Sequence, residues 1–374
     1  MTGSPSDPAH ATRAPLSRAS HAPGYLYESA EVFQREKDRI FLKDWLCVAR
    51  VEEVAAPGDY VTLRIMDEPI IVARNGDGTL NAFANVCRHR GVEVAAGAGN
   101  TEEFSCPYHG WLYDLTGKLL GAPYMKDAEG FDPADCRLTP LRLAVWAGWI
   151  FVTFDRDAAA FEGFIAGYDA ELAVLEQERC RLAVKVVIEY AANWKLVVEN
   201  LVDPYHSNVA HRGTIGQLPK PATHTDPDVH LIGNGSLAVF FDGSPMTPNG
   251  QSLFGKMPWL DDASDSFGCS AHLAPTLQVF ASCDNVHPVI TWPRSPTTST
   301  AVAYLLFPAD AFDDPAFDAK LEVYRSFMFA VLDEDRWVIE SQQRNLNAIG
   351  FTPGRMSVME APVHYVINDY LRRI

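Results

Sequence analysis

Two groups of residues in this 374-residue chain have the types and spacing of metal ligands. The first is Cys87-x-His89 in "NVCRHRGVEV", followed by Cys106-x-x-His109 in "FSCPYHGWLYD". Each loop offers one soft thiolate and one imidazole, and two such loops at the tips of β-hairpins can close on a metal. Zinc accepts two cysteines and two histidines as readily as an iron–sulfur cluster does. Core cysteines and surface histidines could meet these spacings by chance, but two loops of matching chemistry in one β-patterned stretch argue against chance.

The second group lies in "ENLVDPYHSNVAH". Asn200, Asp203 and His206 are spaced by threes and so share a face if the segment is helical. His211 is five positions past His206, which turns it about 140° round a regular helix. Both imidazoles can point at one ion only if the helix widens by a π-turn or breaks between Ser207 and Ala210. The alternative is a pair of capping or surface histidines near "AHRG", where Gly213 could end the helix.

Two histidines need a carboxylate to complete a facial triad that leaves open positions on Fe(II). In "AVLDEDRWVIESQQRNL", Asp335 shares a face with Val338, Ile339 and Gln342, an expected inward stripe. Asp333 and Glu334 lie off that stripe or at its margin, with Asp333 held in reserve. A run of charges is ordinarily a solvated face, which is the plain alternative for each of these acids. The other histidines, His10, His21, His224, His230, His272, His287 and His364, lack partners at ligand spacing. Of these, His224, His230 and His287 could reach a substrate from a pocket wall.

A Rieske [2Fe–2S] centre has one iron on two cysteines and the other on two histidines, so each loop must supply one of each. "CRHRG" followed by "CPYHGW" does so, and it resembles the signature of the Rieske non-heme iron oxygenases, the large-subunit family of aromatic-ring hydroxylases and related demethylases. Pro107, Tyr108, Gly110 and Trp111 also fall where that pattern has them. The resemblance implies Cys87 and Cys106 on one iron and His89 and His109 on the other. The family's second motif, Asn-x-x-Asp-x-x-His-x4-His, is matched at Asn200, Asp203, His206 and His211. It implies His206 and His211 as ligands of a mononuclear Fe(II), with Asp203 and Asn200 serving catalysis. The family spacing of an acid five residues before a Glu, here Asp335 before Glu340, selects Asp335 as the third ligand.

The same resemblance implies a homotrimer in which Asp203 hydrogen-bonds His109 of the partner subunit and carries electrons from cluster to iron. It implies an α+β fold, a small antiparallel β Rieske domain plus a larger catalytic domain of antiparallel sheet packed by helices in a helix-grip arrangement. It further implies a terminal oxygenase that hydroxylates, dihydroxylates or demethylates a small compound with O2. Members acting on quaternary ammonium compounds often have Glu where Asp203 stands, which tilts the reading towards an aromatic substrate over a methylated amine. Rival readings are a Rieske electron carrier and a zinc-binding structural module.

The elements that must position these residues follow the hydrophobic pattern. Residues 1–44 read as a polar arm and a helix capped by Ser29. Residues 45–157 carry short β-branched and aromatic runs separated by turn signals, and 158–374 form the larger domain. Within it, "LAVKVVIEYAANWKLVVENL" runs from strand to helix, 212–275 reads as loop-rich pocket wall, and a long helix runs from Pro315 to about Leu346. The wall candidates are Phe240, Phe241, Phe254, Trp259, Phe280, Trp292 and Phe307.

Composition narrows the partners. A net charge of −17 disfavours nucleic acid and anionic lipid. Seven scattered cysteines do not read as a disulfide framework, and no run is apolar enough for a membrane span or secretory signal, so a cytoplasmic chain is expected. No Gly-rich dinucleotide fingerprint follows a strand, which points to electrons from a separate reductase, with or without a ferredoxin.

Overall fold

The computed structural model describes residues 9–219, 228–260 and 265–374. The chain divides into two compact units, one of Met1–Ile40 with Glu162–Ile374, the other of Phe41–Phe161.

The Phe41–Phe161 unit is antiparallel β throughout. Leu46–Arg50, Trp149–Thr153 and Arg142–Trp146 form one three-stranded sheet, and Leu80–Ala84, Glu68–Arg74, Asp59–Ile65 and Ala98–Asn100 form a four-stranded one. The third sheet is Glu103–Ser105, Leu112–Asp114 and Leu119–Gly121. Ile71, Phe83, Phe104, Trp111 and Tyr113 pack beneath the two Cys/His loops, together with both cysteines. Each large side chain so buried contributes roughly 1.5–3 kcal/mol, which is how so small a unit holds two loops in register.

The other unit is built on one seven-stranded antiparallel sheet. Its order is Cys180–Tyr190, Thr298–Pro308, Val289–Ser295, Leu277–Ser282, Phe267–Leu273, Ser236–Asp242 and Asp228–Gly233. Three of these strands fall wholly in the stretch read as loops, because Gly, Asp and Asn at their ends mask short apolar runs such as "LAVFF" and "CSAHL". The helices Trp194–Val202, Phe317–Asn345 and Ala361–Arg373 belong to the same unit.

The N-terminal segment is not a free arm from Ala9 onward. His364 and Asn368, one turn apart on the last helix, donate to the carbonyls of Ala14 and Thr12, and Arg13 donates to the Leu371 carbonyl. The expected helix after Ser29 forms as Ala30–Glu36, with Ser29 Oγ accepting from the Val32 N–H, and continues as a π-turn over Lys37–Phe41. It carries Glu36, which is fully buried and accepts from Lys195 Nζ, Trp194 Nε1 and Tyr370 Oη. That buried network fixes the start of Trp194–Val202, the helix that delivers the second motif. Among the described residues no helix is long and apolar enough to cross a membrane.

Candidate metal centres and cavity

The two Cys/His loops close in the same way. Cys87 N–H donates to Val92 O and Gly91 N–H to Cys87 O, at 2.8 and 2.9 Å. Cys106 N–H donates to Trp111 O and Gly110 N–H to Cys106 O, at 2.8 and 3.0 Å. Gly91 and Gly110 have φ of 77° and 67°, the left-handed region a side chain would strain, which is why both loops carry glycine four residues after cysteine.

Both cysteines are buried and both histidines exposed. The two imidazole rings lie 4.6 Å apart, and His89 stacks on Trp111. Arg88 N–H donates to Tyr113 Oη, so the Tyr113 hydroxyl has its proton free to donate to Cys87 Sγ at 3.3 Å. Burial raises the Cys106 thiol, while the Tyr108 and His109 N–H groups pull it back down by hydrogen bonds that favour the thiolate. Two thiols supplied with donors and two imidazoles with open edges are the donor set of a [2Fe–2S] cluster with mixed ligation.

In the larger unit, the helix Trp194–Val202 ends before the second motif is complete. Asp203 is its C-cap, with φ −90° and ψ 110°, so Asn200, Asp203 and His206 do not share a helix face. His206 instead starts a single turn, Ser207–Ala210. That turn is regular, so the break expected between Ser207 and Ala210 is not there; between the two histidines the chain leaves helical geometry only at His211, with φ −92° and ψ 28°, and a separate break at Asp203–Tyr205 precedes them both. Pro204 explains the first break, since it disfavours helical backbone at Asp203 and has no N–H to donate.

The result brings the two imidazoles together. His206 Nε2 and His211 Nε2 are 3.2 Å apart, and Asp335 Oδ1 lies 3.4 and 3.1 Å from them. A divalent ion about 2.1 Å from three ligands at right angles spaces them by roughly 3.0 Å, so the triangle fits one ion.

The protons point the same way. His206 Nδ1 lies 3.2 Å from Asp203 Oδ2, and His211 Nδ1 lies 3.0 Å from Glu334 Oε2. With each Nδ1–H donating outward, both Nε2 lone pairs face the buried Asp335 Oδ1, which has no hydrogen bond of its own. Three lone pairs aimed at one point repel unless a cation sits there.

The electrostatics carry that imprint, because a proton on Nε2 answers the same demand for positive charge that a metal ion would. Burial opposes a charge on His206, yet Asp203 and Asp335 overcome it and lift its pKa to about 9. Burial likewise opposes a charge on His211, and Asp335 with Glu334 raise it. Burial would raise Asp335, but the two histidines hold it down to about 2.

Asp335 comes from Phe317–Asn345, whose buried stripe is Tyr324, Phe327, Met328, Val331, Leu332, Asp335, Ile339 and Gln343. Ile339 lies on the stripe as expected, Val338 is only half-buried, and Gln343 takes the buried place expected of Gln342, which is exposed. Asp333 is exposed. Glu334, placed at the margin from sequence, orients His211 and accepts from Thr214 Oγ1 at 2.6 Å. No spacing in the sequence links position 334 to 211, and only the packing of the two segments does.

These residues line a cavity of about 390 Å³, with Asn200, Asp203, His206, His211 and Asp335 on its wall. Asn200 has no side-chain hydrogen bond among the described residues, and its backbone carbonyl accepts from Asp203 N–H. Of the aromatic candidates, Phe241 and Phe280 line the cavity, joined by Phe267, which sequence reasoning did not single out. Phe254 and Phe307 pack instead with Phe317 and Tyr324, Trp259 lies under Arg179, Trp292 is core, and Phe240 lies tilted against Phe267. His287 is on the cavity wall; His230 is tied to Glu171 and Asp228 away from it, and His224 lies outside the described residues. Among the described residues no Lys or Arg lines the cavity.

Comparison with known proteins agrees with this division. A family model described as "Ring hydroxylating alpha subunit (catalytic domain)" matches residues 177–374, and one described as "Rieske [2Fe-2S] domain" matches 44–138. The glycine betaine monooxygenase oxygenase subunit of Chromohalobacter salexigens is 30% identical over 371 residues, covering 90% of this chain and 81% of that protein. The carnitine monooxygenase oxygenase subunit of Acinetobacter baumannii is 38% identical over 194 residues, 51% of this chain and 52% of that protein, so the match spans about half of that relative. Among solved structures, a quaternary ammonium Rieske monooxygenase superposes with a TM-score of 0.79 at 25% identity, covering 95% of this chain and 94% of the other.

Proposed function

The chain belongs to the ring-hydroxylating alpha-subunit family of Rieske oxygenases, and from that premise we propose that it is the terminal oxygenase of a multicomponent system. It takes electrons from a separate reductase, with NAD(P)H as ultimate donor, and uses O2 to oxidise a small, neutral aromatic compound. The observation that carries the reading is the meeting of His206, His211 and Asp335 on the wall of an apolar cavity.

Cys87, Cys106, His89 and His109 would hold the cluster, and His206, His211 and Asp335 the iron. When bound, these groups supply one-electron transfer and activation of dioxygen. The chain's own part is positional. Asp203 and Glu334 hold the two ligand imidazoles by Nδ1 and keep each Nε2 free of its proton, as acids behind metal-bound histidines do. Tyr113 supports the charge on Cys87. The apolar walls around Phe241, Phe267 and Phe280 exclude water and take a flat hydrocarbon face.

A quaternary-amine substrate is the second reading, favoured by the carnitine and glycine betaine relatives. Those two compounds carry a carboxylate, and a desolvated carboxylate needs a cationic partner. The described wall of this cavity has no Lys or Arg, and burial pushes His287 down to about 4, so it too is uncharged at neutral pH. This supports the aromatic reading over a zwitterionic one.

Electron flow between subunits is part of the proposal. Asp203 Oδ1 accepts from Tyr205 N–H and Oδ2 faces His206, which leaves it as the acid behind a ligand, suited to meet His109 of the partner subunit in a homotrimer. Inter-subunit electron transfer is described for the quaternary ammonium Rieske monooxygenase whose fold this chain shares, which supports the same route here.

The test is to purify the chain, count iron, and analyse products after reductase-driven turnover of neutral arenes, carnitine and glycine betaine. About three irons per chain with a red-brown cluster spectrum and oxidised arene products are expected. A colourless zinc protein, a cluster without the third iron, or oxidation of the betaines alone would overturn the reading.

A further inference from the structure

His287 stands on the wall of the same cavity, and a chain of buried polar groups that neither metal motif uses fixes its ring. Its Nδ1 lies 2.9 Å from Asn285 Oδ1, and the ring stacks on Phe280 at 5.7 Å between centroids. Behind Asn285 is Asp284, fully buried, which accepts from Ser282 Oγ at 2.9 Å, from Asn285 Nδ2 at 2.8 Å and from Tyr324 Oη.

These partners settle which atom carries the proton. A carboxylate only accepts, so the Asn285 amide must turn its NH2 to Asp284, which leaves its carbonyl for His287. The carbonyl also only accepts, so His287 Nδ1 must donate. A neutral imidazole with its proton on Nδ1 has a lone pair on Nε2, and among the described residues Nε2 has no hydrogen-bond partner. Burial keeps the ring neutral, which preserves that lone pair in use. A carboxylate buried with no cationic partner among the described residues is a costly way to fill a core, and orienting Asn285 is what it accomplishes here.

We infer that His287 Nε2 is a substrate-orienting acceptor, so that the cavity selects aromatic compounds bearing an N–H or O–H donor over equally shaped compounds without one. This rests on the aromatic reading above and narrows it. The trimethylammonium group of a quaternary amine has no hydrogen to give to this atom.

The experiment is calorimetric titration of the resting, iron-loaded protein with indole, indene and 1-methylindole, so that binding is read without turnover. Indene matches indole in size and lacks the N–H, and 1-methylindole blocks it. Indole should bind roughly tenfold more tightly than either, the ratio expected from one net hydrogen bond. In His287→Leu that ratio should fall to near one, with indene affinity kept within about twofold; in His287→Gln, whose amide oxygen can accept, part of the ratio should return. Equal affinities for indole and indene in the unaltered protein overturn the inference whatever the variants do, and leave the aromatic reading standing. A ratio that persists in His287→Leu overturns it as well. Failure of all three arenes to bind overturns both.

Discussion

The two ligand groups differ in how far apart their members lie along the chain, and the difference separates what a turn can build from what only packing can. Cys87 to His109 is one short stretch of a β unit, and its two loops close through backbone hydrogen bonds repeated at corresponding positions. Each loop is complete within six residues. The His206, His211 and Asp335 triangle is assembled from a broken helix and from a second helix that begins only at Phe317. Local geometry prepares the first site, whereas the second exists only once the Phe317–Asn345 helix has docked.

The largest effects should break the comparison cleanly in two. Cys106→Ala is expected to abolish the cluster's visible and paramagnetic signals and all turnover, while iron at the His206 site stays near one per chain. Asp335→Ala is expected to do the reverse, leaving the cluster spectrum intact and removing the mononuclear iron together with turnover. Iron analysis with spectroscopy on both variants checks this, and loss of both metals in either one would mean that the sites do not form independently.

Two weaker substitutions sharpen it. Asp203→Asn should leave both metal sites filled and lower reductase-driven turnover by up to about a hundredfold, because it removes the acid behind His206 without removing a ligand. Normal turnover in that variant would remove Asp203 from the electron path. Glu334→Gln should weaken mononuclear iron binding by about tenfold, read by chelator competition, with the cluster unaffected, since only His211 loses a charged partner.

The smallest effect separates the larger unit from its own metal chemistry. Burial pushes His272, 1% exposed in the sheet, down to about 4, against about 6.5 in an unfolded chain. Between those values the unfolded state binds the extra proton, so stability falls as pH drops from 6.5 to 4 and is fully present above 6.5. His272→Phe should flatten that acid slope by at most about 3 kcal/mol, measured by denaturant unfolding of the metal-free protein across this range. An unchanged slope would assign the acid sensitivity elsewhere.

Legibility from sequence follows the same division. The β unit's turns, strands and both ligand loops are local patterns, and each reads directly from residue type and spacing. The long helix is legible from its apolar period, but Gln343 is buried in place of Gln342 because its Oε1 accepts from the Asn193 N–H, a contact between segments that the helix period does not encode. The strands at Asp228–Gly233, Ser236–Asp242 and Phe267–Leu273 were hidden because the residues that end them also mark loops. The distortion around His206 and His211 followed from the awkward five-residue spacing, yet its place did not, because Pro204 and the demand of Asp335 act together there.

What the sequence determined by itself is the kind of chemistry: two soft and two imidazole ligands in matched loops, two further imidazoles needing one acid, and no cation-rich surface for phosphate. Residue type sets ligand softness and charge, and neither depends on the fold. Tertiary structure alone decided the role of Glu334 behind His211, the choice of Phe241, Phe267 and Phe280 among many aromatics as cavity wall, and the chain from Asp284 through Asn285 that turns His287 Nε2 into an acceptor. The Glu334 contact and the choice of wall aromatics join segments far apart in sequence, and the Asp284–Asn285–His287 chain, though local, meets Tyr324 and faces the cavity only once sheet and helices pack.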